Sequence, residues 1–275
     1  MDLLGRAFAV WFGIAILAVL NGGFREVILI PKLGERAGHI LSTLLLSATI
    51  MVVAFLSIRW IGIPSLASAW AVAAGWLVLT LLFETIAGHY LFGNPWEKIF
   101  ADYRVSHGRV WILIPFTILF AGPIAHQGLA QKWLVPYAVS NLVAAAMLLL
   151  AGLRPHVARW AFVVLFTYAG IYNTWLSINR PLEYQGFADL ALIPWYRTYV
   201  TETLKSNAQI ITAIGIGQLC IAGAWALGRR CLALGAFGGC VFLLAIAPLG
   251  VGSAAPFSFT VSLAMIVVAL HKASS

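Results

Sequence analysis

The segment LASAWAVAAGWLVLTLLF, Leu66–Phe83, contains no ionisable side chain. An α-helix of roughly 20 apolar residues crosses the hydrocarbon core of a bilayer, so this segment predicts a membrane-spanning helix. Similar uncharged runs recur along the chain. They are apolar on every face, whereas the strands of a membrane barrel alternate polar and apolar side chains. The predicted fold class is therefore all-α.

The composition of the whole chain supports the same class. The 275 residues are 62% hydrophobic and only 9% charged, whereas a soluble domain carries roughly 25% charged residues. So few charges cannot cover a surface that faces water. We predict a polytopic transmembrane helical bundle of about nine helices, or eight if the last two are fused or re-entrant. The nine predicted helices are 7–22, 38–58, 66–90, 110–127, 133–153, 157–178, 207–228, 231–250 and 256–271.

The predicted helices fall into two bundles. Residues 1–131 hold four of them and residues 132–275 hold five. Three connections are longer than a turn: Gly23–Ala37, Phe92–Gly108 and Asn179–Ser206. The last two are rich in Trp and Tyr, side chains that suit the headgroup layer, so we expect short interfacial helices in them.

The basic residues predict the orientation of the chain. Its formal net charge is +8, but basic loops set membrane topology, and this explains the charge better than nucleic-acid binding does. In a nine-helix topology, eleven of the 17 Lys and Arg residues lie on one side. The richer side should be cytoplasmic. We therefore predict a multi-pass protein of the cell inner membrane, with the N-terminus outside, the C-terminus cytoplasmic and the lipid bilayer as its partner.

An acidic residue late in the third predicted helix is the strongest candidate for chemistry. Glu84 follows the uncharged run directly, and an ionisable side chain at membrane depth is costly and commonly functional. His89 ends the same helix, and Arg109 precedes the fourth. We predict Glu84, His89 and Arg109 as catalytic residues.

Further polar residues should gather at the same mouth of the first bundle. In the predicted topology, Arg25, Glu26, His39, Tyr103 and His107 all lie on the side where the third helix ends. We predict these five as substrate-binding residues.

Several interpretations of this polar group remain possible from the sequence. Imidazoles and a carboxylate can hold a metal, and His39 with His89 can ligate a haem. An anionic headgroup or substrate can be held by Arg25 and Arg109. The group can also be a structural network that ties loops to the bundle. No spacing typical of a metal site is present, so we predict no metal site, and the sequence identifies no cofactor.

The second bundle carries amides and phenols in place of charges. Asn141, Tyr168, Tyr172, Asn173 and Gln218 all fall inside predicted helices. Such groups commonly form hydrogen bonds between membrane helices. The alternative is a small polar pocket for a quinone carbonyl or another amphipathic ligand, with the Asn179–Ser206 connection as its lid.

Small residues and cysteines complete the second bundle. Glycines in its last helices permit close helix approach: Gly215, Gly217, Gly223, Gly235, Gly238 and Gly239. The three cysteines form no CxxC pair, so no thiol-redox motif is indicated.

The region from Val157 to Leu270 resembles the DoxX-like family of small bacterial membrane proteins. The residues that carry the resemblance are Gly215, Gln218, Gly223 and Gly228, the Arg229-Arg230 turn and the aromatic segment Ile193-Pro194-Trp195-Tyr196. The resemblance implies a membrane protein associated with respiratory or thiol redox systems. Members of that family often carry an acidic residue where this chain has Gln218.

Taken together, these features favour a membrane protein that is associated with redox reactions or acts on a lipid-soluble small molecule such as a quinone. The alternatives are a small-solute transporter and a non-catalytic subunit of a membrane complex. Whether the protein is an enzyme, and which protein partners it has, the sequence does not indicate.

Overall fold

A computed structural model describes residues 2–91, 93–105, 109–180, 183, 185–206, 208–228 and 231–273. Over these residues the chain is almost entirely helical, with no strand, which confirms the all-α class. The helices are α1 (Leu3–Leu33), α2 (Glu35–Ile61), α3 (Leu66–Leu91), α4 (Trp96–Ala101), α5 (Leu113–Gln127), α6 (Gln131–Leu153), α7 (Pro155–Asn179), α8 (Gln185–Ala188), α9 (Pro194–Ser206), α10 (Ala208–Leu227), α11 (Leu232–Ile246) and α12 (Phe257–Ala273).

The long helices have the length and composition that a bilayer requires. Within the described ranges, seven are long and apolar enough to cross a membrane, and α5 and α12 are shorter apolar helices. Large apolar side chains cover their outer surfaces: Leu56 is 79% exposed, Leu142 70% and Val164 68%. Apolar surface of this extent is unfavourable in water and marks a membrane-facing region. The chain is a multi-pass integral membrane protein.

The chain divides into two compact units, Met1–Leu134 (unit 1) and Val135–Ser275 (unit 2). In unit 1, α1 packs on α2 and α3, and α5 packs on both α2 and α3. Polar side chains join these helices inside the bundle. Trp76 Nε1 donates to Ala7 O at 2.9 Å, and Thr117 Oγ1 donates to Ser47 Oγ at 3.3 Å. A buried indole N–H needs such an acceptor, so these bonds help to set the order of helices.

Helices of unit 1 that follow one another along the chain run in opposite directions. Asn21 Nδ2 donates to Ser42 Oγ at 2.7 Å, which joins the second half of α1 to the first half of α2. At the other end, Arg6 Nη1 donates to Trp60 O at 3.0 Å, from the start of α1 to the end of α2. One end of unit 1 therefore collects the last turns of α1 and α3 and the first turns of α2 and α5.

In unit 2, α7 packs most extensively on α10, α11 packs on α10, and α12 packs on α11 and α7. The core of this bundle is aromatic. The rings of Phe162 and Trp225 are fully buried, with centroids 4.7 Å apart.

The α6 helix is joined to the turn before α12 by hydrogen bonds. Tyr137 Oη donates to Ala255 O at 2.5 Å, and Asn141 Nδ2 donates to Ala254 O at 2.9 Å. Backbone carbonyls at membrane depth need partners because no water is present there. Asn141 therefore has a structural role in this turn.

One expectation from the sequence changes in detail. The Gly23–Ala37 connection is not a loop over most of its length, because α1 continues to Leu33 through a π-helical segment, Arg25–Leu29. The apolar run Val27–Ile30 continues the helix past the charged pair that precedes it. The connections 92–108 and 179–206 contain the short helices α4, α8 and α9. The last two apolar segments are separate helices, so they are not fused, and the described ranges hold seven helices long enough to span a membrane and two shorter apolar ones. A re-entrant arrangement of the last two stays an alternative.

Candidate functional site

Two π-helical segments lie at the same end of unit 1. They are Arg25–Leu29 in α1 and Phe83–Leu91 in α3. A π-helical turn is wider than an α-helical one and often occurs at functional sites. Glu84 lies in the first turn of the second segment, and Arg25 and Glu26 open the first.

The carboxylate of Glu84 accepts hydrogen bonds from two uncharged donors. Tyr103 Oη donates to Glu84 Oε2, and Trp111 Nε1 donates to Glu84 Oε1 at 2.9 Å. Both donors come from the segment that connects α3 to α5. No Lys or Arg in the described ranges forms an ion pair with Glu84. The carboxylate is therefore satisfied by hydrogen bonds alone.

The other charged groups at this end of unit 1 form separate ion pairs. Arg109 donates to Asp102 Oδ1 at 2.6 Å and to Glu35 Oε1 at 3.1 Å. Arg25 Nε donates to Glu26 Oε1 at 3.1 Å. Arg109 therefore ties the α3–α5 connection to the start of α2.

Two of the three predicted histidines, His39 and His89, lie within the described residues at this end of unit 1. His89 Nδ1 hydrogen-bonds Asn94 O at 2.9 Å, and the His89 ring stacks on Trp96 with centroids 4.2 Å apart. His39 is half-buried in the first turns of α2. His107 lies outside the described residues. Among the residues that are described, no group of three or more His, Cys, Asp or Glu side chains is placed to hold a metal ion.

A cavity of about 530 Å³ lies between these elements. We call it the Glu84 cavity. Its lining includes Arg25, Glu26, Glu84, Asn94, Asp102, Tyr103 and Trp111. Of the three predicted catalytic residues, Glu84 borders the cavity and the other two do not. Arg109 is bonded to Asp102 and His89 to the backbone of Asn94, and Asp102 and Asn94 are the residues that line the cavity. Arg109 is paired with Asp102, which borders the cavity, and with Glu35, which does not. An anion site that uses Arg25 and Arg109 together stays one of the alternatives from the sequence.

Sequence reasoning missed two residues of this cavity. Trp111 supplies one of the two donors to Glu84, and Asp102 anchors Arg109. Asp102 carried a usable signal, since it is an acidic residue one position before Tyr103. Trp111 carried none, because a Trp at the start of an apolar helix is common at the membrane interface.

Tyr103 is held in its protonated form. Burial raises the pKa of the Tyr103 phenol above its usual range, and the negative charge of Glu84 and the hydrogen bond to it raise this pKa further. The phenol therefore remains a hydrogen-bond donor to Glu84 at any physiological pH.

This shift predicts how the stability contributed by Tyr103 depends on pH. The Tyr103→Phe variant should lose the hydrogen bond and about 1 kcal/mol of stability at neutral pH. Above about pH 10 the unfolded phenol loses its proton and the folded one keeps it, so unfolding becomes easier for the wild type. Melting temperatures of both proteins between pH 7 and 11 should converge as the pH rises. Tyr90→Phe, at a 73% exposed side chain, is the control, and a constant difference for Tyr103→Phe would contradict the assignment.

Unit 2 contains a second cavity, of about 380 Å³. We call it the Gln218 cavity. Its walls are mainly apolar and come from α7, α10 and α11, with side chains of α8, α9 and the 3₁₀ segment Ala247–Ser253 closing it. Representative lining residues are Phe166, Phe187, Tyr199, Ile214, Phe242 and Leu249. The predicted lid, Asn179–Ser206, therefore contributes directly to the cavity wall.

The polar groups of the Gln218 cavity come from two helices and the lid. Asn173 Nδ2 in α7 donates to Gln218 Oε1 in α10 at 2.7 Å. Tyr196 Oη donates to Ala245 O at 2.7 Å, and burial, with a smaller effect of Tyr199, raises the pKa of the Tyr196 phenol. Tyr172 and Asn173 both border the cavity, whereas Tyr168 is 68% exposed. Of the polar residues predicted in this bundle, the structure thus gathers Tyr172, Asn173 and Gln218.

No family model, characterised protein or solved structure matches this chain. The resemblance to the DoxX-like family stays a prediction. The candidate sites therefore rest on the geometry of the chain itself.

Proposed function

We propose that this integral membrane protein binds a lipid-soluble, amphipathic small molecule of the quinone class in the Gln218 cavity. The observation that supports this proposal is the position of the Gln218 amide on the cavity wall. This side chain is 2% exposed, its Oε1 accepts from Asn173, and it borders the cavity. The Nε2 group of the same amide is a hydrogen-bond donor. A ligand carbonyl in the cavity can accept a hydrogen bond from Gln218 Nε2.

The walls of the cavity favour an apolar body on the same ligand. Apart from the amides and a few hydroxyl groups, the lining consists of aliphatic and aromatic side chains, among them Phe166, Ile214 and Phe242. A cavity of this volume and composition, with a few convergent polar groups, is typical of a small-molecule site. A ring that carries carbonyl groups, attached to an isoprenoid or alkyl tail, meets both requirements.

The long helices that form the cavity are membrane-spanning, so the ligand reaches it from the lipid phase. A quinone in this site associates the protein with the redox reactions of its membrane, in agreement with what the DoxX-like resemblance implies. The Lys and Arg distribution supports placing the N-terminus outside and the C-terminus in the cytoplasm of a bacterial inner membrane.

A binding measurement tests the proposal. We expect the purified protein in nanodiscs to bind a decyl-substituted benzoquinone. The quenching of the protein's tryptophan fluorescence measures this binding. The Gln218→Leu variant should bind it about tenfold more weakly, because one buried hydrogen bond is worth about 1.4 kcal/mol in affinity. Gln209→Leu, at an exposed position of the same helix, is the matched control and should bind as the wild type does. Equal affinity in wild type and Gln218→Leu, or no binding to either, would overturn the proposal.

A further inference from the structure

The Glu84 cavity has the guanidinium of Arg25 on its wall. The Arg25 side chain is 15% exposed, and its Nε is paired with Glu26 at 3.1 Å. Its two terminal nitrogens donate to no atom of the described residues. A guanidinium has a planar fork of donors that matches the oxygens of a phosphate or carboxylate. Because Arg25 borders the cavity, these donors are available to an anionic group inside it.

The other charged side chains that the described lining of the Glu84 cavity contains are carboxylates, those of Glu26, Glu84 and Asp102. Glu26 is paired with Arg25 and Asp102 with Arg109, whereas Glu84 has no ion-pair partner among the described residues. A purely anionic ligand would therefore meet the uncompensated carboxylate of Glu84. A ligand that carries a positive charge as well as a negative one balances both walls.

Aromatic side chains stand beside the carboxylates. Phe83, Tyr103 and Trp111 border the cavity, and the last two are hydrogen-bonded to Glu84 itself. An ammonium group is attracted by aromatic faces as well as by carboxylates. The Glu84 wall therefore suits an ammonium group, and the Arg25 wall suits a phosphate.

The position of the cavity along the helices favours a membrane component. Arg25 and Glu84 each lie in the final third of a membrane-spanning helix, α1 and α3 respectively. We expect this depth to be close to the headgroup layer of one leaflet, where phosphate and ammonium groups are concentrated.

We propose that the Glu84 cavity binds a zwitterionic headgroup in which a phosphodiester is linked to an ammonium, with the phosphate at Arg25 and the ammonium at the Glu84 wall. The same headgroup occurs on a phospholipid and on a water-soluble glycerophosphodiester. This proposal is independent of the quinone proposed for unit 2, because the two cavities share no residue.

Lipid binding to the delipidated full chain tests the proposal. We expect native mass spectrometry in detergent to show short-chain phosphatidylethanolamine bound at least tenfold more tightly than phosphatidylglycerol with the same chains. Glycerophosphoethanolamine without acyl chains is the third ligand. If it binds as tightly as the lipid, the headgroup alone is recognised and its source is water-soluble; if only the lipid binds, the source is the membrane. Either result supports the site.

Two variants test the contributions of the Arg25 wall and the Glu84 wall separately. Arg25→Gln should weaken phosphatidylethanolamine binding about tenfold, and Glu84→Gln should remove most of the preference over phosphatidylglycerol. Arg59→Gln, an exposed arginine at the opposite end of α2, is the control and should change neither. If a variant does not fold, the comparison of ligands on the wild-type protein still decides. Equal affinity of the wild type for both lipids, or an unchanged affinity in folded Arg25→Gln, would overturn the proposal.

Discussion

The Glu84→Ala variant is expected to unfold at a temperature roughly 8 °C below that of the wild type. Removing the carboxylate leaves the phenol of Tyr103 and the indole N–H of Trp111 without their acceptor. Each donor that is left unsatisfied costs about 1–3 kcal/mol, and we expect a total of about 3 kcal/mol. A loss of this size lowers the melting temperature of a chain of this length by several degrees. Thermal unfolding of the purified protein in detergent, followed by intrinsic fluorescence, measures the change.

Two matched variants show whether the effect comes from the hydrogen bonds. Glu84→Gln keeps an acceptor oxygen for one donor and should lie between Glu84→Ala and the wild type. Glu97→Ala removes an exposed carboxylate from α4 and should leave the melting temperature unchanged. If Glu84→Ala had the same melting temperature as the wild type, the hydrogen bonds to Tyr103 and Trp111 would not stabilise the bundle.

The Gly215→Ala variant should lower the melting temperature by roughly 5 °C. At this position α7 and α10 approach so closely that a Cβ on Gly215 would lie 2.9 Å from Gly170 O and 3.0 Å from Thr174 N, and would also clash with Thr174 Oγ1. The hydroxyl can rotate away, but the two backbone atoms can be relieved only if the helices separate. Overpacking of this kind costs about 2 kcal/mol, which corresponds to several degrees.

The same helix offers a control that differs only in the direction it faces. Gly217 is exposed, and a Cβ added there would meet no atom within 4 Å. Gly217→Ala should therefore have the same melting temperature as the wild type in the same fluorescence measurement. Equal effects of the two substitutions would show that glycine acts through helix propensity and not through packing between α7 and α10.

Local sequence predicted much of what the structure shows. The uncharged run Leu66–Phe83 is part of a helix long enough to span a bilayer, because the transfer of apolar side chains into lipid depends on composition alone. The aromatic connections contain short helices. The extension of α1 to Leu33 was missed because Arg25, Glu26 and Lys32 suggested a polar loop, whereas backbone hydrogen bonds carry the helix through them.

The candidate sites were predicted less completely. The sequence placed Glu84 and Tyr103 in one polar group, since Tyr103 follows the helix that Glu84 helps to end in the predicted topology. It did not identify Trp111 as the second donor, or Arg109 as a residue already paired with Asp102 and Glu35. These partners are set by the path of the connection between α3 and α5, which no local pattern encodes.

The sequence by itself determined the all-α membrane class, the apolar helices of the described ranges and the presence of an acidic residue late in one of them. Only the tertiary structure decided that Gly215 is packed while Gly217 is exposed, and that Gln218 borders a cavity. The physical reason lies in the helices themselves. In a soluble protein an apolar stripe shows which face of a helix is buried, but these helices are apolar on all faces. Their rotation is therefore set by close packing and by a few hydrogen bonds between distant residues.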